Sequence, residues 1–381
     1  MSILLKLKDT ICDTRLGKCG QILYNPNRIC DPKGTRTFYP EVAHKSKWEI
    51  VKDHLSYAYH YNLLFDANEY FCVGLDRKDE KLEDHVSGHV HQEQLLKMVE
   101  TPLPGQRHNY MCVPDDKYLF AVVADSYGLP IPKTFGMYAN GQIYVPDLKK
   151  YIPLADIVNY DLDVMFKPIS GTFGYGIVHI VIKDKKIMRS GKELSMSEFQ
   201  ALLDKGAHAK HHTATYIIQD FVGNQHHDMK SLFPKSLNTL RVSVAKNPET
   251  GEYDVLGLMC LMGAGDMIVS NWHFGGVVVN VLPDGHLDRY GFSNAHKRVE
   301  RHPDTGVVFS EMKIPFFEET IELAKKATAM FYGHKTIGWD FAFSEDGPVI
   351  IEANNTWGVV AHEMVEGRGW AAIEKKYFGL K

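Results

Sequence analysis

An acidic segment near the C-terminus carries residue types that bind metal ions. The runs IGWDFAFS at 337–344 and PVIIEAN at 348–354 flank a turn-forming Glu-Asp-Gly, which predicts a β-hairpin. In the first strand, alternation places Asp340 on the face opposite to that of the neighbouring phenylalanines. In the second strand, it places Glu352 and Asn354 on the same face as Ile350. The hairpin therefore predicts that Asp340, Glu352 and Asn354 meet at its open end.

These three side chains suit a magnesium ion. Oxygen donors among apolar strands are costly to bury without a cation, and Mg²⁺ binds carboxylates together with nucleotide phosphates. On these residues alone an alternative stays open, in which the two carboxylates flank a surface hairpin and are each solvated.

A lysine followed by a glycine-dense segment forms a second candidate site. Lys167 ends the apolar run VMF, and Gly171, Gly174 and Gly176 follow it. A lysine at a strand end neutralises phosphate, and glycines let backbone N–H groups close around phosphate oxygens. The spacing excludes a Walker loop, and the strand that follows excludes a Rossmann turn. A plain turn between two strands is the alternative.

Two further segments are compatible with substrate contacts. The strand-like run at 216–223 ends in a connection whose backbone can pair with adenine, with Gln219 near the adenine amino group. The polar loop around Asn271 and His273 can reach phosphate or a second substrate. Taken locally, a core strand and a β-bulge turn explain these two segments equally well.

Short strands and amphipathic helices must position these residues. Residues 45–64 place Trp48, Val51, Leu55 and Tyr59 at helical spacing, which predicts an amphipathic helix. Further helices are expected at 117–128, 197–204 and 318–332, and strands at 164–168, 177–182, 216–222, 241–245, 255–261 and 277–281. The pattern predicts an α+β fold with a mixed N-terminal region at 1–112 and two further parts at 113–225 and 226–381.

Composition limits the function classes. The chain has 381 residues, 44% hydrophobic and 24% charged, and a net charge of -4, as in ordinary globular proteins. Without a basic excess, general nucleic-acid binding is not expected. No apolar run is long enough for a membrane span, and the N-terminus lacks a signal-peptide pattern, so we expect a cytoplasmic protein.

The cysteines and histidines give weaker signals. The six cysteines include no CxxC pair, so reduced structural thiols are favoured over a metal site at Cys12, Cys19 and Cys30. The histidine clusters at 208, 211 and 212 and at 226 and 227 are predicted to lie on solvated polar faces.

The order of these elements resembles the ATP-grasp superfamily over about residues 110–360. The branch it is most similar to is the sugar-transfer-associated ATP-grasp family. The shared motifs are SLNTLR at 236–241, the Gly-Gly pair at 275–276, IGWD at 337–340 and EAN at 352–354, and EYFCVGL at 69–75 also fits. The resemblance implies an ATP-grasp fold, in which two α+β subdomains clasp ATP behind a smaller N-terminal region.

The resemblance also implies roles for individual residues. Lys117 and Lys167 would bind the phosphates. The lid over the triphosphate would contain Gly171, Gly174 and Gly176. Adenine would contact Gln219 and the backbone of Phe221 and Val222. The ligands of two Mg²⁺ ions, with Mn²⁺ as a substitute, would be Asp340, Glu352 and Asn354. The catalytic residues that stabilise an acylphosphate and the tetrahedral oxyanion would be Arg241, Lys167 and Asn271.

The chain departs from related ligases at three arginine positions. Val269, Leu261 and Gly338 stand where related ligases often carry arginine. The charge of the transition state would then fall on Arg241, Lys167, the metal ions or an unassigned residue such as Arg368.

The activity that the resemblance implies is ATP-dependent joining of a small-molecule carboxylate to an amine through an acylphosphate. The acceptor would be a sugar or a peptide, contacted by the N-terminal region and the segment 361–368, and a homodimer is common among such ligases. Two alternatives remain: phosphoryl transfer to a hydroxyl group, and a non-catalytic ATP-binding module.

Overall fold

The computed structural model describes residues 13–30, 37–102, 104–171, 176–207, 215–223, 225–266, 270, 272, 275–293 and 297–379. Gly174, Asn271, His273 and the histidines at 208, 211 and 212 therefore lie outside the described residues. Cys12 and Val269 lie outside them as well.

The N-terminal region is helical, and further helices are interspersed with the strands. The α-helices are α1 (Arg15–Tyr24), α2 (Asn27–Cys30), α3 (Lys47–Tyr61), α4 (Ala67–Cys72), α5 (Gly88–Glu100), α6 (Cys112–Asp115), α7 (Lys117–Ser126), α8 (Met196–Ala207), α9 (His227–Leu232), α10 (Phe317–Met330), α11 (Val360–Glu366) and α12 (Ala371–Phe378).

The strands fall in two groups along the chain. The first group is β1 (Thr134–Ala139), β2 (Gln142–Val145), β3 (Lys150–Pro153), β4 (Leu162–Pro168), β5 (Val178–Lys183), β6 (Lys186–Arg189), β7 (Lys192–Leu194) and β8 (Tyr216–Asp220). The second is β9 (Thr239–Lys246), β10 (Tyr253–Met262), β11 (Val277–Val281), β12 (Leu287–Ser293), β13 (Lys297–Val299), β14 (Thr336–Ser344) and β15 (Gly347–Asn354). The mixture confirms the predicted α+β fold.

Helix α3 confirms the helix predicted over 45–64 but not its buried face. Ser46 caps the helix with a capping box, and the left-handed Asn62 ends it. Ile50 and Val51 point into the core, whereas Trp48 is 76% exposed and Tyr59 is 55% exposed. The apolar spacing indicated the helix correctly, but Trp48 and Tyr59, two of the four residues in the predicted apolar stripe, face outward.

The first group of strands forms one antiparallel sheet. Within the described residues its order is β3-β2-β1-β8-β4-β5-β6-β7. Strands β4 and β5 pair antiparallel, as predicted for the two strands around the glycine segment. Helix α8 covers one face, where Phe199 and Leu203 pack against Phe166 and Ile180.

The second group forms another antiparallel sheet, in the order β13-β12-β11-β10-β9-β14-β15. Helices α7 and α10 pack on it through a core that includes Phe120, Ala324 and Trp339. The predicted hairpin is present, because β14 and β15 are adjacent, sequential and antiparallel. Trp339 and Phe341 of β14 pack into this core, and Asp340 lies between them in sequence on the opposite face of the strand.

The hairpin contains one irregularity that corrects the predicted alternation. Asp340 pairs with Glu352, but the next pair is Phe341 with Ile350, so the register shifts between them. Such a β-bulge inserts one residue and reverses the phase of the strand. Ile350 therefore packs in the core beside Phe341. The expectation that it shares a side with Glu352 and Asn354 is wrong.

Buried histidine–glutamate pairs join the N-terminal helices to the C-terminal ones. His85 Nδ1 lies 3.1 Å from Glu363 Oε2. His91 Nδ1 contacts Glu374 Oε1, and His91 Nε2 lies 2.8 Å from the carbonyl oxygen of Trp357. All four ionisable side chains are buried, so these contacts form inside the packed interface. Among the residues described, no helix has the length and apolar character needed to cross a bilayer.

Candidate active site

One cleft of ≈ 1500 Å³ collects most of the predicted site residues. Both sheets contribute to its walls, together with the start of α7 and parts of α4, α5 and α11. The predicted residues that line it are Lys117, Lys167, Gly171, Phe221, Val222, Arg241, Asp340, Glu352 and Asn354. Gln219 and Gly176 lie close to the cleft without lining it.

The acidic hairpin brings its three polar residues together as predicted. Asp340 and Glu352 face each other across β14 and β15. The Asn354 amide nitrogen donates to the carbonyl oxygen of Gly338 at 3.2 Å and approaches Asp340 Oδ2 at 3.4 Å. Because the nitrogen is used in these contacts, the amide oxygen is the atom left for a cation. Two carboxylates and an amide oxygen form the hard donor set that Mg²⁺ prefers.

Both carboxylates are already held beside cationic side chains. Arg241 lies opposite Asp340 on the adjacent strand β9, and it donates through Nε to Oδ1 and through Nη2 to Oδ2 at 2.7 Å. Burial raises the pKa of the Asp340 carboxyl, and the guanidinium offsets this only in part. Lys117 Nζ lies 2.9 Å from Glu352 Oε1 and donates to the carbonyl oxygen of Gly171 at 3.1 Å. The hairpin end is thus a compact array of opposite charges.

Lys167 is buried at the end of β4. Its Nζ donates to Gln219 Oε1 at 3.1 Å, and the Gln219 amide nitrogen donates to the carbonyl oxygen of Pro132 at 3.3 Å. Burial lowers the pKa of Lys167 to about 8. An anion that enters the cleft beside Nζ would favour the charged form of this lysine. The side chain of Gln219 lies behind Lys167, so it reaches an adenine only if these bonds break.

The connection after β8 presents main-chain groups to the cleft. The Phe221 N–H donates to the Asp163 carbonyl oxygen, and the Phe221 carbonyl accepts from the Gly223 N–H, both at 2.9 Å. The Phe221 ring stacks on His179 with centroids 4.2 Å apart. Within the part of the chain that the structure describes, the Val222 backbone makes no hydrogen bond. Val222 therefore offers the free donor and acceptor of this connection.

The start of α7 is anchored to the acidic hairpin. The Asp116 carboxylate caps the helix, and the Lys117 N–H donates to the Ile169 carbonyl oxygen at 2.8 Å. The amide of Asn355, which follows the hairpin directly, donates to Asp115 Oδ1 and to the Met111 carbonyl oxygen, both at 2.8 Å. Sequence reasoning missed Asp115 and Asn355, since a neighbouring Asn pair carries no signal of a partner so distant in the chain.

Other cationic side chains are candidates to supply the positive charge that related ligases obtain from the three missing arginines. Lys230 and Lys235 line the cleft and were not singled out from the sequence. Arg368 is 62% exposed and pairs with Glu366 outside the cleft lining, so it is poorly placed to replace an arginine there. Arg241 is the arginine that lines the cleft among the described residues.

Helices from both ends of the chain form the far wall of the cleft. The segments α4, the start of α5 and α11 contribute Asn68, Glu69, Gln92, Ala361 and Met364, among others. Sequence reasoning named these two regions for acceptor contacts but could not assign individual residues.

Comparisons with known proteins complete the description of the site. A sequence profile of the family described as sugar-transfer associated ATP-grasp matches residues 103–376. A search of curated proteins found no match.

The solved structures that match this chain include the following three. The N5-carboxyaminoimidazole ribonucleotide synthetase from Thermotoga maritima has 12% identity and a TM-score of 0.33, with 64% of this chain and 42% of that chain covered. The VanG D-Ala:D-Ser ligase from Enterococcus faecalis has 13% identity and a TM-score of 0.41, with 71% and 62% covered. The D-alanine–D-alanine ligase from Bacillus anthracis has 11% identity and a TM-score of 0.38, with 71% and 66% covered. The chain therefore spans between 42% and 66% of the lengths of these three proteins.

Proposed function

This chain belongs to the sugar-transfer-associated ATP-grasp family, and from that premise we propose that it is an ATP-dependent ligase joining a carboxylic acid to an amine. Its two antiparallel sheets form the halves of the ATP-grasp fold. The observation that carries the proposal is the cluster of Lys117, Lys167 and Arg241 around Asp340 and Glu352 in one cleft. The cleft volume leaves room for a nucleotide and a second substrate.

The cationic groups support an ATP position with its phosphates at the hairpin end. Lys117 and Lys167 hold the phosphates, and Gly171, Gly174 and Gly176 form the lid over them. Glycines allow backbone N–H groups to approach phosphate oxygens closely, and Gly176 has a left-handed φ of 75°.

Adenine in this proposal lies against the connection after β8. The free main-chain groups of Val222 support this position, with Phe221 and Gln219 beside it. In the same proposal, residues 113–225 and 226–381 supply the two halves of the clasp, while residues 1–112 and 361–368 contact the acceptor.

Asp340, Glu352 and Asn354 would hold Mg²⁺, two ions in this proposal, with Mn²⁺ as a substitute. When bound there, a metal ion would supply positive charge that neutralises phosphate oxygens. Lys117 forms an ion pair with Glu352, and Arg241 forms one with Asp340. Their ion pairs hold the donor oxygens at the hairpin end before any ligand enters.

The reaction has two steps. A substrate carboxylate attacks the γ-phosphorus, the bond from that phosphorus to the β–γ bridging oxygen breaks, and ADP leaves with the electron pair. The amine nitrogen then attacks the acyl carbon, the bond from that carbon to the phosphate oxygen breaks, and inorganic phosphate leaves as nitrogen gives up a proton. The product is an amide.

The protein contributes positioning and charge rather than a covalent intermediate. The Arg241 Nη1 group has no partner among the described residues and is available to oxygens of the acylphosphate. Lys167 neutralises phosphate. By resemblance to the family, Asn271 is a second hydrogen-bond donor to the oxyanion in this proposal. Closure over the cleft keeps water from the acylphosphate.

A matrix of carboxylic acids and amines tests the function. Each pair is incubated with Mg–ATP, and inorganic phosphate and product mass are measured. We expect phosphate release that requires both partners, with a product lighter than their sum by one water. A phosphorylated hydroxyl product would instead identify a phosphotransferase. ADP formation with no pair would contradict the ligase assignment.

A further inference from the structure

The lysine and arginine side chains that line the cleft lie away from its helical far wall. Lys117, Lys167 and Arg241 lie on the nucleotide side with the acidic hairpin. Among the described lining residues, those from α4, α5 and α11 include no lysine or arginine. Among the described residues of this far wall, the titratable side chains are Glu69, His89 and the thiol of Cys72, and Glu69 is the carboxylate. A substrate bound there meets negative charge and neutral polar groups rather than a cationic pocket.

Glu69 is held at the junction of three helices. It lies in the first turn of α4, and its Oε2 accepts a hydrogen bond from the Gly88 N–H at 3.0 Å. Its Oε1 would come within 2.7 Å of a Cβ at position 88, and Val360 Cγ2 within 3.0 Å. Glycine at 88 is therefore what lets the carboxylate and α11 approach the start of α5 so closely.

The negative charge of Glu69 is poorly compensated. Among the described residues, no lysine or arginine forms an ion pair with Glu69. The Oε1 atom of Glu69 accepts no hydrogen bond from any described residue. Burial raises the pKa of the Glu69 carboxyl, and the nearby Asp66 and Glu363 carboxylates raise it further. A cation brought next to this group would relieve an existing electrostatic cost.

We propose that the far wall binds the amine substrate as an ammonium ion and that Glu69 is the carboxylate that recognises it. This inference rests on the proposed ligase function and names the substrate class for one of its two subsites. A primary alkylamine fits, because the ammonium meets Glu69 while its hydrocarbon part contacts Val360, Ala361 and Met364.

The position of the wall suits the second step of the reaction. Helix α11 begins at Val360, soon after Asn354 ends the acidic hairpin. An amine on this wall therefore lies beside the end of the cleft where the acid is activated. Its ammonium group releases one proton to solvent before the attack, because only the free amine carries a lone pair, and the nitrogen releases a second proton as the amide forms. A carboxylate substrate would be repelled by Glu69, so the acid binds on the cationic side. The two substrates are sorted by charge before they react.

Hydroxylamine separates amine recognition from acid activation. It is a nucleophile that is uncharged at pH 7.5, so it traps the acylphosphate as a hydroxamate without using an ammonium site. Wild-type protein is first screened with Mg–ATP, hydroxylamine and a panel of carboxylic acids. The best acid is then assayed with methylamine, ethanolamine and ethylenediamine, each protonated at that pH.

The test variant is Glu69→Gln, which keeps an oxygen to accept from the Gly88 N–H. We expect its hydroxamate rate and KM for ATP to stay within about twofold of wild type, while kcat/KM for the protonated amines falls at least about tenfold. The matched control is Glu83→Gln, an exposed carboxylate that does not line the cleft, and it leaves both activities unchanged.

The outcomes are distinguishable. If Glu69→Gln loses hydroxamate and amide formation equally, Glu69 has only a structural role at the start of α5, and the inference is overturned. An unchanged kcat/KM for the protonated amines also overturns it. A wild-type protein that forms hydroxamate but uses no protonated amine also overturns it while leaving acid activation intact. Absence of hydroxamate with every acid overturns the proposed ligase function itself.

Discussion

Buried Lys167 makes ATP binding and folding respond to alkaline pH in opposite directions. The informative perturbation is Lys167→Met, which keeps an unbranched side chain one atom shorter and removes the titratable group. The comparison of wild type with this variant isolates Lys167 from other groups that titrate in the same range.

The size of the binding effect follows from the pKa of Lys167. Burial lowers it from 10.5 to about 8 in the free protein. If phosphate oxygens beside Nζ return it to its ordinary value, binding takes up about half a proton at pH 8 and about 0.9 proton at pH 9. Because the complex binds the extra proton, affinity for ATP falls by nearly tenfold per pH unit around pH 9.

Folding changes with the opposite sign. The unfolded chain keeps the lysine proton up to the ordinary pKa of 10.5, whereas the folded protein releases it near 8. Between these values the unfolded state binds more protons, so the free energy of unfolding rises with pH. The full rise attributable to this side chain is ~3 kcal/mol relative to Lys167→Met.

Two measurements check this reasoning. Calorimetric titration with ATP at pH 9, in two buffers of different ionisation enthalpy, gives the proton uptake without interference from the fully ionised γ-phosphate. Urea unfolding of both proteins between pH 7.5 and 10 gives the stability difference. Lys186→Met, a change at an exposed lysine of β6, is the control and should behave as wild type.

Equal proton uptake by wild type and Lys167→Met at pH 9 would contradict this expectation. A difference in their unfolding free energies that does not change with pH would contradict it as well. Either result would mean that Lys167 titrates normally or lies away from the bound phosphates.

Three further substitutions address the hairpin and its supports. Glu352→Ala should lower ADP formation by about 100-fold or more with an unchanged circular dichroism spectrum, because a metal-binding carboxylate is lost, while Glu345→Ala in the turn of the same hairpin should retain activity. Asn355→Ala should raise the KM for ATP several-fold and lower stability by about 1–3 kcal/mol in urea unfolding, since it removes two hydrogen bonds, to the Asp115 carboxylate and to the Met111 carbonyl oxygen. His91→Ala should destabilise the protein by about 3–5 kcal/mol in the same assay, because it strands the buried Glu374.

Specific results would contradict each expectation. Full ADP formation by a folded Glu352→Ala protein would end the metal assignment. An Asn355→Ala protein that is less stable but has an unchanged KM for ATP would show that the anchor supports folding alone. A His91→Ala protein as stable as wild type would mean that Glu374 is solvated in the folded state.

Local sequence patterns predicted the elements and much of the candidate site. The acidic hairpin was predictable because alternation, β-branched residues and a Glu-Asp-Gly turn all indicate the same structure. The position of Lys167 at the end of a strand, with Gly171 in the turn after it, was predictable because both signals lie in adjacent residues. In each of these cases the signal lies within a few positions of the chain.

Long-range and register-dependent features could not be predicted. The bulge that moves Ile350 into the core depends on how β15 pairs with β14, which no local pattern encodes. Asn355 bonds Asp115 across 240 positions of sequence, so neither residue reveals its partner. The setting of Glu69 depends on helices from opposite ends of the chain meeting at Gly88. Packing, not propensity, decides such contacts.

Two buried histidine–glutamate pairs, one between α5 and α12 and one between His85 and α11, link the two ends of the chain. They determine whether a truncated protein can fold. A truncated protein that begins at residue 113 would keep Glu363 and Glu374 but lose both histidine partners, leaving two carboxylates in an apolar interface. Such a fragment should aggregate or unfold rather than act as an autonomous ATP-binding half. The intact chain should melt in one cooperative transition, because the N-terminal helices cannot separate from α11 and α12 without exposing these carboxylates.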